Sequence, residues 1–326
     1  MAKVRIGFIG CGGRAGSHIE ALRQHDGAEI VAVADVVEAA ARRAGERLGV
    51  PFYTDHAALL QRDDLDAAFV SVPVFAHGPV ELAIIGRGLP FFVEKPVARQ
   101  LATAKEVAAA LKASGLWAAV GYQLRYEEGV RRARAFLAGK TVSVVEGHYW
   151  CGTNRMGGWQ NDWDGSGGQL VEQATHTVDL MRHLVGEVAE VYCRQASRVL
   201  YAITSPDSYA LTLGFENGAL GGLTTSWAYD GRDWSHANAL HIISDNCLVR
   251  LSGGGVQVLP QGSGELPPAA GAGTIYDAFV DSVRTGKPDG VLSTYDDALA
   301  TLAVTLAANE SARSGRVVRV ADAVGA

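Results

Sequence analysis

Apolar residues follow two different patterns along this chain, and the change falls near residue 121. Through the first third, short apolar runs alternate with helical patterns. Strands are predicted at 4–9, 30–34, 67–72, 90–93 and 117–120, and helices at 14–24, 37–48, 56–62, 77–87 and 101–114. Runs such as Ala67-Ala68-Phe69-Val70-Ser71-Val72 show no in–out alternation, as strands buried on both faces require. Strand and helix in turn imply a parallel sheet covered on both sides, a doubly wound α/β domain. From 122 the pattern changes. A helix at 127–138 precedes runs that alternate in strand fashion, at 141–150, 189–197, 209–215, 219–227, 237–243, 248–251 and 256–259. Glu216-Asn217-Gly218 and Ser244-Asp245-Asn246 read as hairpin turns between them. Helices at 274–285 and 296–313 close the chain, and the Pro/Gly-rich stretch 260–273 reads as a loop. The prediction is a first domain over 1–121 and a second α/β domain over 122–326 with an open, mostly antiparallel sheet, the helix at 296–313 being a candidate to pack back on the first domain.

The first strand runs into Gly10-Cys11-Gly12-Gly13-Arg14-Ala15-Gly16 and then a helical pattern with Ala21, Ile19 and Leu22. Strand, glycine turn and helix are the context in which G-x-G-x-x-(G/A) signals a dinucleotide, and the first domain therefore reads as a Rossmann fold. Gly10 permits the tight turn, Gly12 and Gly13 leave room for a pyrophosphate, Arg14 can reach a phosphate, and Ala15 keeps helix and strand close. Asp35 ends the next apolar run, about 20 residues beyond the glycines, where an acid can hold ribose hydroxyls. Its carboxylate would repel a 2′-phosphate, and Val36 and Val37 supply no cation, so NAD is predicted over NADP; Arg14 keeps NADP open.

Composition narrows the rest. The 326 residues suffice for two domains, with 48% hydrophobic and 20% charged residues. A net charge of −6 without a basic run argues against nucleic acid or an anionic membrane as partner. No apolar stretch approaches a membrane span, and residues 1–10 lead straight into the first strand without room for a signal peptide. Cys11, Cys151, Cys193 and Cys247 are scattered and contain no C-x-x-C, which reads as reduced thiols in a cytoplasmic protein.

Ligands of a doubly wound sheet sit at the carboxyl ends of the strands, which draws attention to Ser71-Val72-Pro73 and Glu94-Lys95-Pro96. A buried strand delivers Glu94 and Lys95 to that edge, and Pro96 biases Lys95 toward an extended backbone. Taken alone, the two read equally as a surface ion pair. The helical pattern at 168–185 is more specific. At 100° per residue, Leu170, Val171, Ala174, Val178, Met181, Leu184 and Val185 share one face, and Glu172, His176, Asp179 and His183 form a stripe on the other. A stripe of acids and imidazoles without Lys or Arg suits a histidine kept in one tautomer for proton transfer better than a solvated face. It has neither a Cys partner nor H-E-x-x-H, so no metal is predicted. Tyr149, Trp150, Trp159 and Trp163 precede this helix, and Trp227 and Trp234 flank another loop; such rings can stack on a sugar, or simply pack.

Together these stretches resemble the glucose–fructose oxidoreductase / inositol dehydrogenase / rhizopine-catabolism (Gfo/Idh/MocA) family. The carriers are Gly10 through His18, Asp35, Val72-Pro73 with His77, Glu94-Lys95-Pro96, Gly121-Tyr122 with Arg125, Gly167-Gly168…Glu172…His176…Asp179, and Glu310-Ser311-Ala312…Gly315-Arg316. The resemblance implies an NAD(P)-dependent oxidoreductase acting on a hydroxyl of a sugar, cyclitol or related polyol. It implies that Lys95 and His176 share proton transfer and charge stabilisation, with Glu172 orienting substrate or His176. Substrate contacts are then expected from Asp179, Tyr122, Arg125, Trp150 and Trp163, and cofactor contacts also from Ser71, Pro73, His77 and Glu94. Two positions depart from the family pattern: Glu172 stands where aspartate is usual, and Val74 where asparagine is common. The same fold can serve an NAD-recycling glycoside hydrolase or lyase, or a sugar or nucleotide sensor. The uncovered face of the second sheet points to a homodimer or homotetramer.

Overall fold

The computed structural model describes residues 2–153, 158–229, 238–262, 264–269, 271 and 273–325. Trp234 and parts of the loop expected over 260–273 lie outside the described residues. The chain divides into two units, residues 1–121 with 273–299, and residues 122–272 with 300–326.

The first unit holds a six-stranded sheet of β1 (Val4–Ile9), β2 (Ala28–Ala34), β3 (Phe52–Tyr53), β4 (Ala67–Val70), β5 (Phe91–Val93) and β6 (Ala118–Val120). The order is β3-β2-β1-β4-β5-β6, and every pairing is parallel, the arrangement of a Rossmann fold. All four residues of β4 and all three of β5 are buried, which is why their sequence reads as an unbroken apolar run. Helices Ala15–Gln24, Glu38–Leu48, His56–Leu60, Pro79–Arg87 and Leu101–Ser114 connect the strands. The helix expected from 77 starts at Pro79, because Gly78 (φ +108°) breaks the helical path and proline is preorganised for a first turn. The two-residue strand β3 lies below the length at which alternation is visible, and the sequence did not signal it.

One boundary differs from the sequence reading. Residues 273–299 belong to the first unit rather than the second. The reason is aromatic. Helix Ile275–Thr285 delivers Phe279, fully buried, edge-on to Phe69 at 6.1 Å, Phe92 at 5.9 Å and Trp117 at 5.9 Å. Phe69 and Phe92 themselves stack at 4.0 Å on adjacent strands. The first turn of helix Ile275–Thr285 is capped reciprocally, with the Thr274 N–H donating to Asp277 Oδ2 and the Asp277 N–H donating to Thr274 Oγ1.

The second unit holds an eight-stranded sheet of β7 (Val142–Trp150), β8 (Val188–Ala196), β9 (Ser208–Phe215), β10 (Leu220–Ser226), β11 (Asn238–Ser244), β12 (Cys247–Ser252), β13 (Gly255–Leu259) and β14 (Val318–Arg319). The order is β13-β12-β11-β7-β10-β9-β8-β14; only β7 and β10 run parallel. Asp245 (φ 44°) and Asn246 (φ 66°) form the tight β11–β12 turn, where short polar side chains tolerate positive φ. One sheet face carries Val145, Leu211, Leu213, Leu223, Leu240 and Ile242, and packs on Leu170, Val178, Met181, Leu184 and Val185 of the helical segment 169–185. Among the described residues, no helix is long and apolar enough to cross a membrane.

Phe279→Ala removes a fully buried ring from the aromatic cluster of the first unit. A loss of about 3–5 kcal/mol in chemical denaturation is expected.

Candidate active site

The carboxyl ends of β1, β2, β4 and β5 carry the polar groups of the first unit. Gly10 takes φ +92°, and a Cβ there would collide with the Ser71 carbonyl oxygen, so glycine is required where β1 leaves the sheet. Around Gly12 and Gly13 the space a Cβ would enter is open, with no heavy atom within 4 Å, so a phosphate group can approach the main chain. Ala15 is buried at the start of its helix, and no acid lies in that helix's first turn to oppose an anion. Asp35 stands at the end of β2. Its Oδ2 accepts the Cys11 N–H at 2.6 Å and its Oδ1 accepts the Val37 N–H at 2.8 Å. Asp35 therefore braces the glycine turn, and each oxygen keeps lone-pair capacity for a ribose hydroxyl. Burial, followed by the Asp35 charge, pushes the Cys11 thiol up to about 12, so it stays protonated. These residues fit a dinucleotide.

Two of the residues expected at the cofactor are turned inward. Pro73 caps the short turn Val74–Ala76, and His77 follows it. His77, 4% exposed, places Nδ1 2.6 Å from Glu81 Oε1, and the Gly78 N–H donates to Glu81 Oε2 at 2.5 Å. Glu94, 5% exposed, lies with Oε1 2.6 Å from His18 Nε2, and its Oε2 accepts the Lys95 N–H at 3.0 Å. Arg14 adds a longer contact to Glu94 Oε1 at 3.4 Å. Burial raises the Glu94 carboxyl, but the His18 hydrogen bond and the charges of His18, Lys95 and Arg14 outweigh it and pull the group down to about 2. Lys95 is half-buried at the end of β5. His18 is the residue the sequence reading left without a role; a histidine on the apolar face beside Ile19 and Leu22 was the available signal.

In the second unit the helical segment is not regular. A π turn spans Leu170–Ala174, and the α-helix runs from Thr175 to Val185. A π turn shifts the phase of everything beyond it and is common at functional positions. Glu172 sits on the π turn and is half-buried, whereas His176 and Asp179 are buried on the α-helix, so the expected stripe is not a solvated face. His176 lies between two tyrosines, Tyr149 nearly parallel at 6.3 Å and Tyr122 edge-on at 6.0 Å. Both rings are anchored: Gln173 Nε2 donates to the Tyr149 hydroxyl at 2.7 Å, and the Tyr122 hydroxyl lies 2.7 Å from Thr175 Oγ1. Burial, then the Asp179 charge, raises the Tyr122 hydroxyl far above its ordinary value, so it remains protonated. Gln173 and Thr175 were missed because their partners, Tyr149 and Tyr122, lie 24 and 53 positions away.

Arg125 and Asp179, both expected at the substrate, meet each other. Arg125 Nε donates to Asp179 Oδ2 at 2.7 Å and Nη2 to Oδ1 at 2.6 Å, with the residues 3% and 1% exposed. Thr301 Oγ1 donates to Asp179 Oδ1 at 3.2 Å, and Arg182 Nη1 to Thr301 Oγ1 at 2.6 Å. The arrangement anchors the helix from its buried side. His183 receives a hydrogen bond from Arg134 Nη1 at 2.8 Å; burial and the Arg125, Arg134 and Arg182 charges push its imidazole down to about 2, so it stays neutral. Trp150 is a correction. Alternation along β7 turns Tyr149 toward the helix and Trp150 to the opposite face, where it stacks on His148 at 4.0 Å. Trp163 is partly exposed beside Gly168, where a Cβ would sit 2.7 Å from its ring, and the Trp163 N–H donates to Thr204 Oγ1 at 2.7 Å.

A dinucleotide-binding Rossmann unit joined to an open-sheet unit with a buried histidine helix defines a class of nicotinamide-dependent oxidoreductases. Comparison with known proteins agrees. The model of the oxidoreductase family with NAD-binding Rossmann fold matches residues 4–122, and that of the GFO/IDH/MocA C-terminal domain matches residues 130–246. The chain belongs to the Gfo/Idh/MocA family of NAD-binding oxidoreductases. It is 26% identical over 343 residues to the D-apiose dehydrogenase of Paraburkholderia graminis, covering 96% of this chain and 88% of that one. It is also 26% identical over 345 residues to the myo-inositol 2-dehydrogenase of Thermotoga maritima, covering 99% and 100%. Among solved structures, the WlbA dehydrogenase of Chromobacterium violaceum, in complex with NADH and UDP-GlcNAcA, shares the fold with a TM-score of 0.87 at 24% identity, covering 98% and 96%.

Arg125→Met leaves the buried Asp179 carboxylate without its bidentate partner. A loss of about 3–5 kcal/mol in denaturant unfolding is expected, more than loss of a surface contact would give.

Proposed function

We propose that this protein is a dehydrogenase that oxidises a secondary hydroxyl of a sugar, cyclitol or related polyol with NAD. The observation that carries this reading is His176, a buried imidazole between the anchored rings of Tyr149 and Tyr122. An imidazole is the side chain best matched to moving a proton near neutral pH, and anchored neighbours fix its orientation. His176 takes the hydroxyl proton, and NAD, when bound, would supply the acceptor for the hydride of the same carbon. Lys95 hydrogen-bonds the hydroxyl oxygen and stabilises the negative charge that develops on it. Glu172, with one methylene more than aspartate, orients a neighbouring substrate hydroxyl or His176 itself. Arg125 and Asp179 hold the helix in place rather than touching substrate. Gly10, Gly12, Gly13, Arg14 and Ala15 hold the pyrophosphate, and Asp35 the ribose; the Asp35 carboxylate favours NAD over NADP. The relatives named for D-apiose and myo-inositol support a polyol substrate.

We infer a homo-oligomer as well. Val144, Trp150, Tyr192, Leu220 and Ile243 are exposed on the sheet face opposite the helix, more apolar surface than a sheet usually leaves wet. Light scattering on the purified protein is expected to give a dimer or tetramer, and Trp150→Lys to lower that state; a monomer in both would remove the inference.

The functional test is NADH formation by purified protein with NAD across inositols, aldoses, anhydrosugars and glycosides. Stoichiometric NADH with one or a few polyols is expected. Lys95→Ala and His176→Asn should each lower turnover by about 100-fold or more while NAD binding persists. Wild-type turnover in either variant would sink the assigned roles, and glycoside cleavage without net NADH would replace the dehydrogenase by a cofactor-recycling hydrolase or lyase.

A further inference from the structure

Glu94 precedes Lys95 in the chain, yet its carboxylate faces into the first unit. Oε1 lies 2.6 Å from Nε2 of His18, a residue 2% exposed. His18 Nδ1 in turn lies 2.9 Å from the Tyr276 hydroxyl. Oε2 accepts the main-chain N–H of Lys95 at 3.0 Å. Behind the carboxylate, a Cβ at Gly121 would stand 3.0 Å from its carbon, so the end of β6 closes that side. The His18 ring lies tilted against Phe69 at 5.0 Å and Phe92 at 5.7 Å while both nitrogens are spent on polar partners. An apolar residue of similar size would fill this space equally well, so packing alone does not call for an imidazole.

We propose that His18 is a positioning residue for Lys95: with Tyr276 it fixes the Glu94 carboxylate, and the free oxygen of that carboxylate fixes the Lys95 main chain at the end of β5. This rests on the reading of Lys95 as the charged group that meets the substrate hydroxyl. The carboxylate has two oxygens and donors on both, His18 with Arg14 on one side and the Lys95 N–H on the other. An amide serves both less well, because its NH₂ either faces the Lys95 N–H or meets Arg14 and forces His18 into its other tautomer. Arg14 belongs to the glycine turn, so the same acid ties the phosphate-binding turn to the lysine-bearing strand end.

The test is the reactivity of Lys95 toward acetic anhydride in the full chain, read by mass spectrometry with Lys105 and Lys112 as internal references, alongside the NAD dissociation constant from calorimetry. Glu94→Gln is expected to change Lys95 reactivity several-fold, because the carboxylate that fixes the Lys95 main chain is lost. His18→Leu preserves packing and should also change the rate several-fold. His18→Gln, whose amide nitrogen can donate to Glu94, should return it most of the way to the wild-type value. NAD affinity should change far less than Lys95 reactivity in the two His18 variants. Tyr276→Phe removes one hydroxyl and gives a smaller change, which keeps the idea testable if His18→Leu does not fold. Equal Lys95 reactivity in wild type, Glu94→Gln and Tyr276→Phe would overturn the proposal, and so would identical behaviour of the Leu and Gln variants at 18. Lys95→Ala separates the two readings: full turnover there removes the role of Lys95, while the labelling result on Glu94 and His18 stands independently.

Discussion

A strand buried on both faces can present polar chemistry only where it ends. In the first unit β4 and β5 are buried along their whole length, and the polar groups described above lie at the carboxyl edge. Gly10, Asp35, Ser71, Glu94 and Lys95 are all strand-end residues. Crowding at that edge explains their local conformations. Gly10 has no room for a side chain beside the Ser71 carbonyl, and Asp35 serves its own glycine turn before any ligand arrives. Glu94 keeps a full charge in a dry place because cations and N–H donors converge on it.

The second unit meets the opposite demand. There the polar groups lie on a helix that is buried nearly all round, and each must be answered from the side. Asp179 is answered by Arg125 and Thr301, and the tyrosines beside His176 are answered by Gln173 and Thr175. These bonds cost side-chain freedom, but they leave His176 with fixed neighbours.

Much of this was legible in the chain. The unbroken apolar runs gave the parallel sheet, the glycine turn between strand and helix gave the Rossmann unit, and two polar turns gave the hairpins of the second sheet. What was not legible depended on distant contacts. The π turn at Leu170–Ala174 has no periodic signature, so a regular wheel put Glu172, His176 and Asp179 in one stripe when only the last two share the regular helix. Trp150 stood next to Tyr149 in an aromatic run, and strand alternation alone sends the two to opposite faces. The Arg125–Asp179 pair spans 54 positions, and residues at that separation show no mutual signal in a single sequence.

The aromatic helix Ile275–Thr285 has a consequence for how the protein is made. The nucleotide-binding unit is complete only with residues 273–299, which are synthesised after the whole strand-rich stretch through β13. While that stretch leaves the ribosome, Phe69 and Phe92 wait without the ring that covers them. The last aromatic ring of the first domain is thus encoded after most of the second, so the order of synthesis and the order of the units in space do not coincide.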